Sequence, residues 1–447
     1  MNATDTIYAL STPPGRGAIA IIRISGPQTS VILESLAGST GVPRRFQVRK
    51  LVDPSTSDTL DQAVVIWLPA PSTFTGEDCA ELQLHASPAV LRALFLVLSR
   101  FEEVRLAEPG EFTRRAVRNG RMDLVEAEGL GDLLAAETAL QRRQAMSQML
   151  GRASSIFDSW RERLLQIRAD IEAVVDFVEE EGVAEAASAY INEQIGDLLT
   201  VLEGEFNRSR SAEVVRDGLR IVLAGLPNTG KSSLLNAIAK REAAIVSSVP
   251  GTTRDVIEVF LDLDGLPVIL ADTAGLRDAG ADTVEAEGIR RTHERLTEAD
   301  LVVWVMSPDV PGSAESDVSV VPDLVVQSKS DLAGPQSGLL RNDDGVPVIV
   351  LSVKTGEGLT DLTSRLASMG RKALVDQESA VVVGQRQREA VAESIRFLNE
   401  AAAQSSDSLE LKAEGIRRAA DAIARLTGRT EVEEWLGAIF SRFCIGK

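Results

Sequence analysis

The chain has 447 residues, 44% of them hydrophobic and 25% charged, with a formal net charge of -19. This composition is that of a folded protein of about three domains, and its acidity argues against holding nucleic acid by bulk charge alone. No run approaches the roughly 18 apolar residues of a membrane span, and the N-terminus lacks a signal peptide, so we expect no membrane partner. Two cysteines and two histidines argue against a disulfide framework and a His-rich metal site, and favour the reducing cytoplasm.

Residues 1–120 are the neutral part of this acidic protein, with 12 basic and 12 acidic side chains. Short β-like runs at 19–24 and 62–68 alternate with turn sequences, which predicts an α+β domain over 1–120. Two basic clusters lie at Arg44/Arg45/Arg49/Lys50 and Arg114/Arg115/Arg118/Arg121. Such clusters are usually solvated faces, and anion binding is the alternative reading.

Two segments that are far apart in the chain have the periodicity of amphipathic helices. In 121–215 the apolar residues recur largely at helical spacing, and the same spacing returns in 373–447. Between them, 216–372 alternate strand-like and helix-like runs. We therefore predict one helical domain, formed by 121–215 and 373–447, whose two apolar stripes pack together and which is interrupted by an inserted α/β domain at 216–372.

The inserted block begins with a phosphate-binding motif. The strand-like run Leu219 to Ala224 is followed by Gly225-Leu226-Pro227-Asn228-Thr229-Gly230-Lys231-Ser232 and then by a helix-like segment. In this pattern, backbone N–H groups at a helix N-terminus wrap phosphate oxygens. We predict that Lys231 reaches the β and γ phosphates and that Ser232 supplies a hydroxyl group to Mg²⁺. A chance match is the alternative, and the strand before and the helix after the motif disfavour it.

Four further motifs follow: Gly251-Thr252-Thr253-Arg254-Asp255, Asp272-Thr273-Ala274-Gly275, Ser328-Lys329-Ser330-Asp331 and Leu351-Ser352-Val353-Lys354. Their order and spacing resemble those of a Ras-like GTPase domain, and this resemblance covers about 218–370. Thr253 suits a second Mg²⁺ hydroxyl, and Asp272 can support that ion while the Gly275 N–H senses the γ-phosphate. Asp331 can accept both the ring N–H and the exocyclic amine of guanine, which adenine cannot present. The predicted GTP-binding residues are Asn228, Thr229, Gly230, Lys231, Ser232, Ser233, Ser247, Ser248, Val249, Pro250, Gly251, Thr252, Thr253, Asp272, Thr273, Ala274, Gly275, Ser328, Lys329, Ser330, Asp331, Ser352, Val353 and Lys354.

Three positions depart from the Ras-like pattern. Ser328 stands where the base-binding motif Asn-Lys-x-Asp has Asn, so we expect Asp331 to keep guanine specificity and leave open how much affinity and loop rigidity are lost. Leu276 stands where Ras-like enzymes place a water-positioning Gln, so hydrolysis needs another group. Only about 17 residues, 306–322, separate two predicted strands, which leaves open whether a full crossover helix is present.

Signatures along essentially the whole chain resemble one family. The segments DTIYALSTPPGRGAIAIIRISG, FTGEDCAELQLH, PGEFTRRAVRNGRMDLVEAE, GLPNTGKSSLLNAIA, GTTRD, DTAGLR and the final FCIGK look like those of the MnmE (TrmE) family of tRNA-modification GTPases. The resemblance implies a multidomain fold: an α+β N-terminal folate-binding and dimerisation domain, an α-helical domain, and an inserted Ras-like α/β P-loop GTPase domain. It also implies a GTP-hydrolysing enzyme that works as a homodimer on tRNA.

The same resemblance implies a partner and a reaction. Family members form a heterotetramer with MnmG, a protein that uses FAD and NADH. Together they attach an aminomethyl or carboxymethylaminomethyl group to carbon 5 of the wobble uridine, and a tetrahydrofolate derivative (5-formyl or 5,10-methylene) supplies the one-carbon unit. GTP hydrolysis drives the conformational cycle, and we expect MnmG and the neutral N-terminal part to provide most of the grip on tRNA.

Site residues follow by resemblance, position by position. The folate site is expected to use Arg23, Glu81, Arg121 and Lys447, and the family more often has Lys at position 121. Cations suit the anionic glutamate tail of folate, and Glu81 suits the N–H edge of a pterin, although a surface carboxylate is its plain alternative. Cys444 is a candidate reactive thiol or a small apolar-like terminal residue, whereas Cys79 is expected in the core.

The resemblance also implies how hydrolysis proceeds. A potassium cage is expected from Asn228, Ser247, Val249 and Thr252, because a fixed cation can neutralise transition-state charge where other GTPases insert an arginine. Glu285 would orient the attacking water through a second water, and so replace the water-positioning Gln that is absent at Leu276. The alternative is that Glu285 is an exposed glutamate at the start of a helix. The expected catalytic residues are Glu285, Lys231 and Asn228, with G-domain dimerisation as the activating step.

Two other function classes stay open from the sequence. A regulatory GTPase of the ribosome-assembly type predicts a basic RNA-binding module such as a KH domain, whereas the flanks of this G domain are neutral or acidic. A folate-dependent aminomethyl-transfer enzyme with an appended regulator is the third reading.

Overall fold

The computed structural model describes residues 5–177, 181–242, 258–272, 296–312, 321–332, 338–341, 345–373, 380–404, 408–428 and 446. The chain divides into two compact units. The first contains Met1–Gly131, Gln148–Glu162 and Ala420–Lys447, and the second contains Asp132–Ser147 and Arg163–Ala419.

A six-stranded sheet forms the centre of the first unit. Its elements are β1 (Thr6–Leu10), β2 (Ala20–Ser25), α1 (Thr29–Ala37), β3 (Gln47–Val52), β4 (Thr59–Leu68), β5 (Cys79–Leu84), α2 (Pro88–Leu98), β6 (Val104–Leu106) and α3 (Glu111–Arg118). The strand order is β3-β4-β5-β2-β1-β6. Among the strand pairs described for this sheet, only β1–β6 is parallel. Helices α1 and α2 bury their apolar residues against one face of this sheet. The α+β prediction for this part of the chain is therefore confirmed.

A buried ionic network ties α3 to the start of the chain. The Arg105 guanidinium pairs with Glu111 at 2.6 Å, and Arg115 pairs with Asp5 at 2.7 Å, with Glu111 at 3.1 Å and with Glu77 at 3.2 Å. Burial alone would raise the pKa of the Glu111 carboxyl, but hydrogen bonds from Arg105, the Glu108 N–H and Arg115 lower that pKa to about 2.

This network changes the interpretation of one basic cluster. The charge of Arg115 is compensated by internal carboxylates, and Arg114 pairs with Glu108 at 3.0 Å. These two cations of the cluster at 114–121 therefore serve the fold and carry little uncompensated charge for an external anion.

We expect Glu111→Gln to destabilise the N-terminal fold by roughly 3 kcal/mol, because the buried guanidinium of Arg115 and the half-buried guanidinium of Arg105 each lose a counter-charge. The folded pKa of about 2 lies below the ordinary value of 4.5. The ionised carboxylate therefore adds stability above about pH 4.5, and this contribution is lost as the pH falls towards 2. Urea unfolding measured from pH 7 to pH 3 should be less pH-dependent in the variant than in the wild type. Glu108→Gln is the matched control, and equal pH dependence in all three proteins would contradict the assignment.

Four helices follow the first sheet: α4 (Leu124–Ala135), α5 (Ala139–Met149), α6 (Arg152–Phe177) and α7 (Glu181–Asp217). After the inserted block come α10 (Gln385–Ala402) and α11 (Leu409–Ala424). Helix α7 packs against α10, where the Arg388 guanidinium lies 4.7 Å from the centre of the Phe206 ring and 3.5 Å from the Glu213 carboxylate. The Lys412 Nζ of α11 donates to the Asn192 Oδ1 of α7 at 2.7 Å. Helices from the two sides of the insertion thus pack together, as predicted.

The inserted block is built on an α/β sheet. Its elements are β7 (Leu219–Ala224), α8 (Lys231–Arg241), β8 (Glu258–Leu263), β9 (Leu266–Asp272), β10 (Leu301–Met306), β11 (Leu324–Gln327), β12 (Gly338–Arg341), β13 (Pro347–Val350) and α9 (Leu359–Ala373). The strand order is β12-β13-β11-β10-β7-β9-β8, with β8 and β12 pairing antiparallel at the two edges. The five inner strands are parallel, so the loops at their carboxyl ends meet at one edge of the sheet.

Helix α7 runs directly into this sheet. Val215, in its last turn, is 3% exposed and belongs to the same core as Leu219 and Leu266. The Arg216 side chain pairs with Asp132 at 3.0 Å, and its carbonyl accepts a hydrogen bond from Gln141. The C-terminal end of α7 is therefore held by the core of the inserted sheet and by the contacts with Asp132 and Gln141.

The connection between β10 and β11 is described at 307–312 and 321–323, and none of these residues is helical. Residues 313–320 lie outside the described residues.

Candidate functional sites

The phosphate-binding loop lies between β7 and α8. A side chain at Gly225 would overlap the Val305 carbonyl oxygen. Only glycine therefore allows the carboxyl ends of β7 and β10 to approach this closely. The Lys231 side chain is 4% exposed, and its Nζ donates to the carbonyl oxygens of Gly225 at 3.0 Å and Leu226 at 2.9 Å. The ammonium group is thus enclosed by the loop whose backbone N–H groups and helix N-terminus attract anions.

Two oxygen groups that suit Mg²⁺ meet beside this loop. Ser232, at the start of α8, donates its Oγ hydrogen to the Asp272 Oδ2 at 2.5 Å. Asp272 ends β9, the strand next to β7, and is 3% exposed. A hydroxyl and a carboxylate are hard oxygen donors, so the residues present fit a hydrated Mg²⁺ held beside phosphates.

The predicted guanine-binding segments are adjacent. The Ser352 Oγ donates to the Asp331 Oδ1 at 2.7 Å, and the Ser330 N–H donates to the Leu351 carbonyl at 3.1 Å. These contacts join the loops after β11 and β13 and orient the Asp331 carboxylate. A carboxylate held in this way can accept two N–H groups on one edge of a base.

Ser328 keeps a connection between the base loop and the phosphate loop. It is 1% exposed, and its Oγ donates to the Thr229 carbonyl at 2.5 Å, with the Met306 carbonyl at 3.1 Å. A hydroxyl has one hydrogen to donate, whereas an amide has two. The Ser328 hydroxyl can therefore tie the two loops together, but it has no second hydrogen to donate to a further partner.

Lys329 makes a second connection, which the sequence analysis missed. Its Nζ donates to the Asn228 carbonyl at 2.9 Å and pairs with the Asp309 Oδ2 at 2.8 Å. The hydrogen bond from Lys329, followed by that from Ser307, lowers the pKa of the Asp309 carboxyl. The one signal for Asp309 in the sequence was its position just after β10, at the carboxyl edge of a parallel sheet.

A second site lies on the first sheet, on the face opposite α1 and α2. Arg23 of β2 and Glu81 of β5 are direct cross-strand partners, with the Arg23 Nη2 2.9 Å from the Glu81 Oε1. The Arg23 guanidinium lies 5.3 Å from the centre of the Phe74 ring and 5.9 Å from that of Phe112. A half-buried charged pair beside aromatic rings can hold a flat, polar heterocycle.

Arg121 of the predicted folate site and Gly446, the residue before Lys447, contact segments next to those that carry the pair. The Arg121 Nε donates to the Thr73 carbonyl at 3.2 Å, in the loop that carries Phe74. Gly446, next to the chain end, accepts a hydrogen bond from the Ser11 Oγ at 3.1 Å, just beyond β1. The Ala9 of β1 pairs with Arg23, so the described part of the C-terminus lies near the Arg23 strand. Cys79 is 3% exposed, as predicted for a core residue.

Several predicted site residues lie outside the described residues. They are Ser247, Ser248, Val249, Pro250, Gly251, Thr252, Thr253, Thr273, Ala274, Gly275, Glu285, Cys444 and Lys447. Within the part of the chain that the structure describes, no helix has the length and apolar character needed to cross a bilayer.

Comparison with known proteins decides the family. The family model for the N-terminus of the GTP-binding protein TrmE matches residues 6–121, and that for the MnmE helical domain matches residues 124–444. The chain is 48% identical over 454 residues to the tRNA modification GTPase MnmE of Methylobacterium sp. (strain 4-46), covering 99% of this chain and 100% of the relative. The chain belongs to the MnmE family.

A second relative has the same name as the first. The tRNA modification GTPase MnmE of Beijerinckia indica is 44% identical, with 99% of this chain and 96% of the relative covered. Among solved structures, the G domain of the T. maritima FeoB iron transporter is 25% identical and covers 34% of this chain and 97% of its own length, with a TM-score of 0.23.

Membership of the MnmE family confirms the predicted fold class and the predicted enzyme class. The chain is a GTPase that binds GTP and acts in tRNA modification. The enclosed Lys231 and the Ser232–Asp272 pair lie at the loop where such an enzyme is expected to bind phosphate.

Proposed function

We propose that this chain is the GTP-hydrolysing subunit of a cytoplasmic complex with MnmG that modifies carbon 5 of the wobble uridine in tRNA. In this reaction an aminomethyl or carboxymethylaminomethyl group is added with a one-carbon unit from a tetrahydrofolate derivative. The observation that carries the proposal is the Arg23–Glu81 pair beside Phe74, in a chain that also has a complete phosphate loop. A GTPase of the ribosome-assembly type has no use for such a second site.

In the proposed hydrolysis, this chain's residues bind and orient the nucleotide. Lys231 and the N-terminus of α8 hold the phosphate charge, and Asp331 holds guanine, oriented by Ser352. Ser232, with Thr253, would hold Mg²⁺, which neutralises charge that develops between the β and γ phosphates. Glu285 would orient the attacking water in place of the Gln that is missing at Leu276.

We expect K⁺ to stimulate hydrolysis by roughly 10- to 100-fold over Na⁺, because a fixed cation stabilises the charge of the transition state. The Asn228 side chain is exposed within the phosphate loop. Its amide oxygen would bind the cation, and Ser247, Val249 and Thr252 would complete the cage. GTP turnover should be measured in KCl and in NaCl at equal ionic strength. Asn228→Ala should remove the preference for K⁺, and Glu285→Ala should slow turnover in both salts. Equal rates in the two salts, or normal turnover by Glu285→Ala, would show this mechanism to be wrong.

We expect Arg23→Met and Glu81→Gln each to weaken binding of 5-formyltetrahydrofolate by roughly 10- to 100-fold, since each removes a charge-assisted hydrogen bond in a half-buried site. Calorimetry on the full chain measures the effect. Arg92→Met is the matched control, because Arg92 is exposed on α2, on the other side of the sheet. Wild-type affinity in both site variants would refute the folate assignment. GTP turnover without tRNA should stay normal, which separates this result from misfolding.

The proposed homodimer and heterotetramer are supported by an open part of the same sheet face. Val48, Val64, Gln83 and Ile21 lie side by side across four strands, on the face that carries Arg23. Val48 is 64% exposed, and the neighbouring Phe46 and Ile19 are 70% and 61% exposed. Exposed apolar residues grouped in this way mark a surface that binds protein, and a second copy would cover the face beside the folate site.

Nucleoside analysis of tRNA from a deletion strain tests the whole proposal. The wobble uridine should lose its C5 group, the wild-type gene should restore it, and Lys231→Ala should not. Unchanged wobble uridines would contradict the proposal, and normal uridines with defective ribosomal subunits would favour the ribosome-assembly reading. The net charge of -19 predicts weak tRNA binding by this chain alone at physiological salt.

A further inference from the structure

Three loops meet at the carboxyl edge of the inserted sheet, and one acidic side chain lies among them. The loops follow the neighbouring strands β7, β10 and β11. Asp309 belongs to the loop after β10, in a turn closed by the Val310 N–H donating to the Ser307 carbonyl at 3.1 Å. The Ser307 hydroxyl also donates to the Asp309 Oδ1, which fixes the direction of the carboxylate.

The Asp309 carboxylate holds the Lys329 ammonium group on the side of the phosphate loop. The Lys329 Nζ lies 3.1 Å from the Asp309 Oδ1 and 2.8 Å from its Oδ2, while it donates to the Asn228 carbonyl at 2.9 Å. Lys329 has a positive φ of 54°, an uncommon backbone conformation for a residue other than glycine. One side chain therefore bridges all three loops, and the bridge depends on a carboxylate from the β10 loop.

This bridge matters because of the residue before it. With Ser328, the tie between the base loop and the phosphate loop is a single hydroxyl hydrogen bond to the Thr229 carbonyl. An amide at that position would offer two N–H groups. The Asp309–Lys329–Asn228 contacts add a second tie between the same two loops, so they supply rigidity that the hydroxyl alone does not.

We infer that Asp309 is a positioning residue for nucleotide binding: it fixes Lys329 across the base loop and the phosphate loop before the nucleotide arrives. Asp309 acts through Lys329 and touches neither phosphate nor base. Preordering these loops lowers the entropy lost on binding, so the effect lies in affinity and not in the rate of the chemical step. The inference rests on the proposed assignment of 328–331 to guanine.

The test is a double-mutant cycle on the full chain with GDP and IDP as ligands. Asp309→Asn keeps the shape of the side chain and removes its charge. We expect this variant to weaken the binding of both ligands by roughly 3-fold, a small factor because both partners of the ion pair are partly exposed. The effect should be equal for the two ligands because Asp309 does not contact the base. The KM for GTP should rise by the same factor while kcat is unchanged. In a Lys329→Met background, Asp309→Asn should have no further effect. The loss should shrink as KCl is raised, because salt screens an exposed pair.

Two variants serve as references. Asp264→Asn breaks an ion pair of similar length with Arg371, 2.8 Å, at the β8–β9 turn, and should leave GDP affinity unchanged. Asp331→Asn reports on the guanine assignment itself: wild-type GDP affinity in that variant would refute the assignment. If Asp331→Asn is impaired but Asp309→Asn binds GDP normally, or if Asp309→Asn is equally damaging with and without Lys329, the role given to Asp309 is overturned.

Discussion

Lys231→Met is expected to reduce GTP turnover by roughly 10²- to 10³-fold, because it removes the ammonium group that the phosphate loop encloses. The Lys231 Nζ lies within 3.0 Å of two loop carbonyl oxygens, so its charge is already placed where the β and γ phosphates are expected. Methionine is similar in length and keeps the buried stem packed. The loss should therefore appear in turnover while the fold remains intact.

Turnover at saturating GTP, together with a thermal melt, measures this effect. Lys240→Met is the matched control, because Lys240 is exposed at the other end of the same helix, α8. The control should behave as the wild type in both measurements. Turnover of Lys231→Met within a few-fold of the wild type would mean that this loop does not bind the reacting phosphates.

Asp331→Asn is expected to exchange the base preference of the enzyme from guanine to xanthine. The carboxylate of Asp331 is held by Ser352 and can accept the ring N–H and the 2-amine of guanine. An amide would face that amine with an N–H group, so GTP should bind roughly 10²-fold more weakly. Xanthine has a carbonyl in place of the amine, and the amide can donate to it.

Competition between GTP and xanthosine triphosphate for the full chain tests this exchange. Asp361→Asn, on the exposed surface of α9, should keep the wild-type preference for GTP. The prediction fails if Asp331→Asn retains wild-type affinity for GTP and ignores xanthosine triphosphate. Retention of the fold is checked by binding of the second nucleotide itself.

The sequence predicted the inserted domain well because its strands are buried on both faces. Predominantly apolar runs at Leu219–Ala224, Leu301–Met306 and Leu324–Gln327 coincide with β7, β10 and β11. The edge strands β8 and β12 carry weaker apolar signals and were not predicted. The phosphate loop was predictable because its glycines and lysine stand at fixed spacing between a strand and a helix.

What the sequence could not provide was the pairing of charges distant along the chain. Arg23 and Glu81 are 58 positions apart and become partners only through the register of β2 with β5. Likewise, Arg115 meets Asp5 across 110 positions, so a run of arginines looked like a solvated face. The register between strands that are distant along the chain depends on the packing of the whole sheet. The spacing of residues within one segment does not predict it.

The length of α7 has a mechanical consequence. Its 37 residues extend about 55 Å at 1.5 Å per residue, and Val215 at one end is part of the core of the inserted sheet. A rotation of that sheet by about 10° about the buried end would sweep the opposite end of a helix of this length through about 10 Å. Binding or release of a phosphate beside Lys231 would move the neighbouring atoms by only a few ångströms. Helix α7 is long enough to convert such a small movement at the inserted sheet into a larger one at its other end.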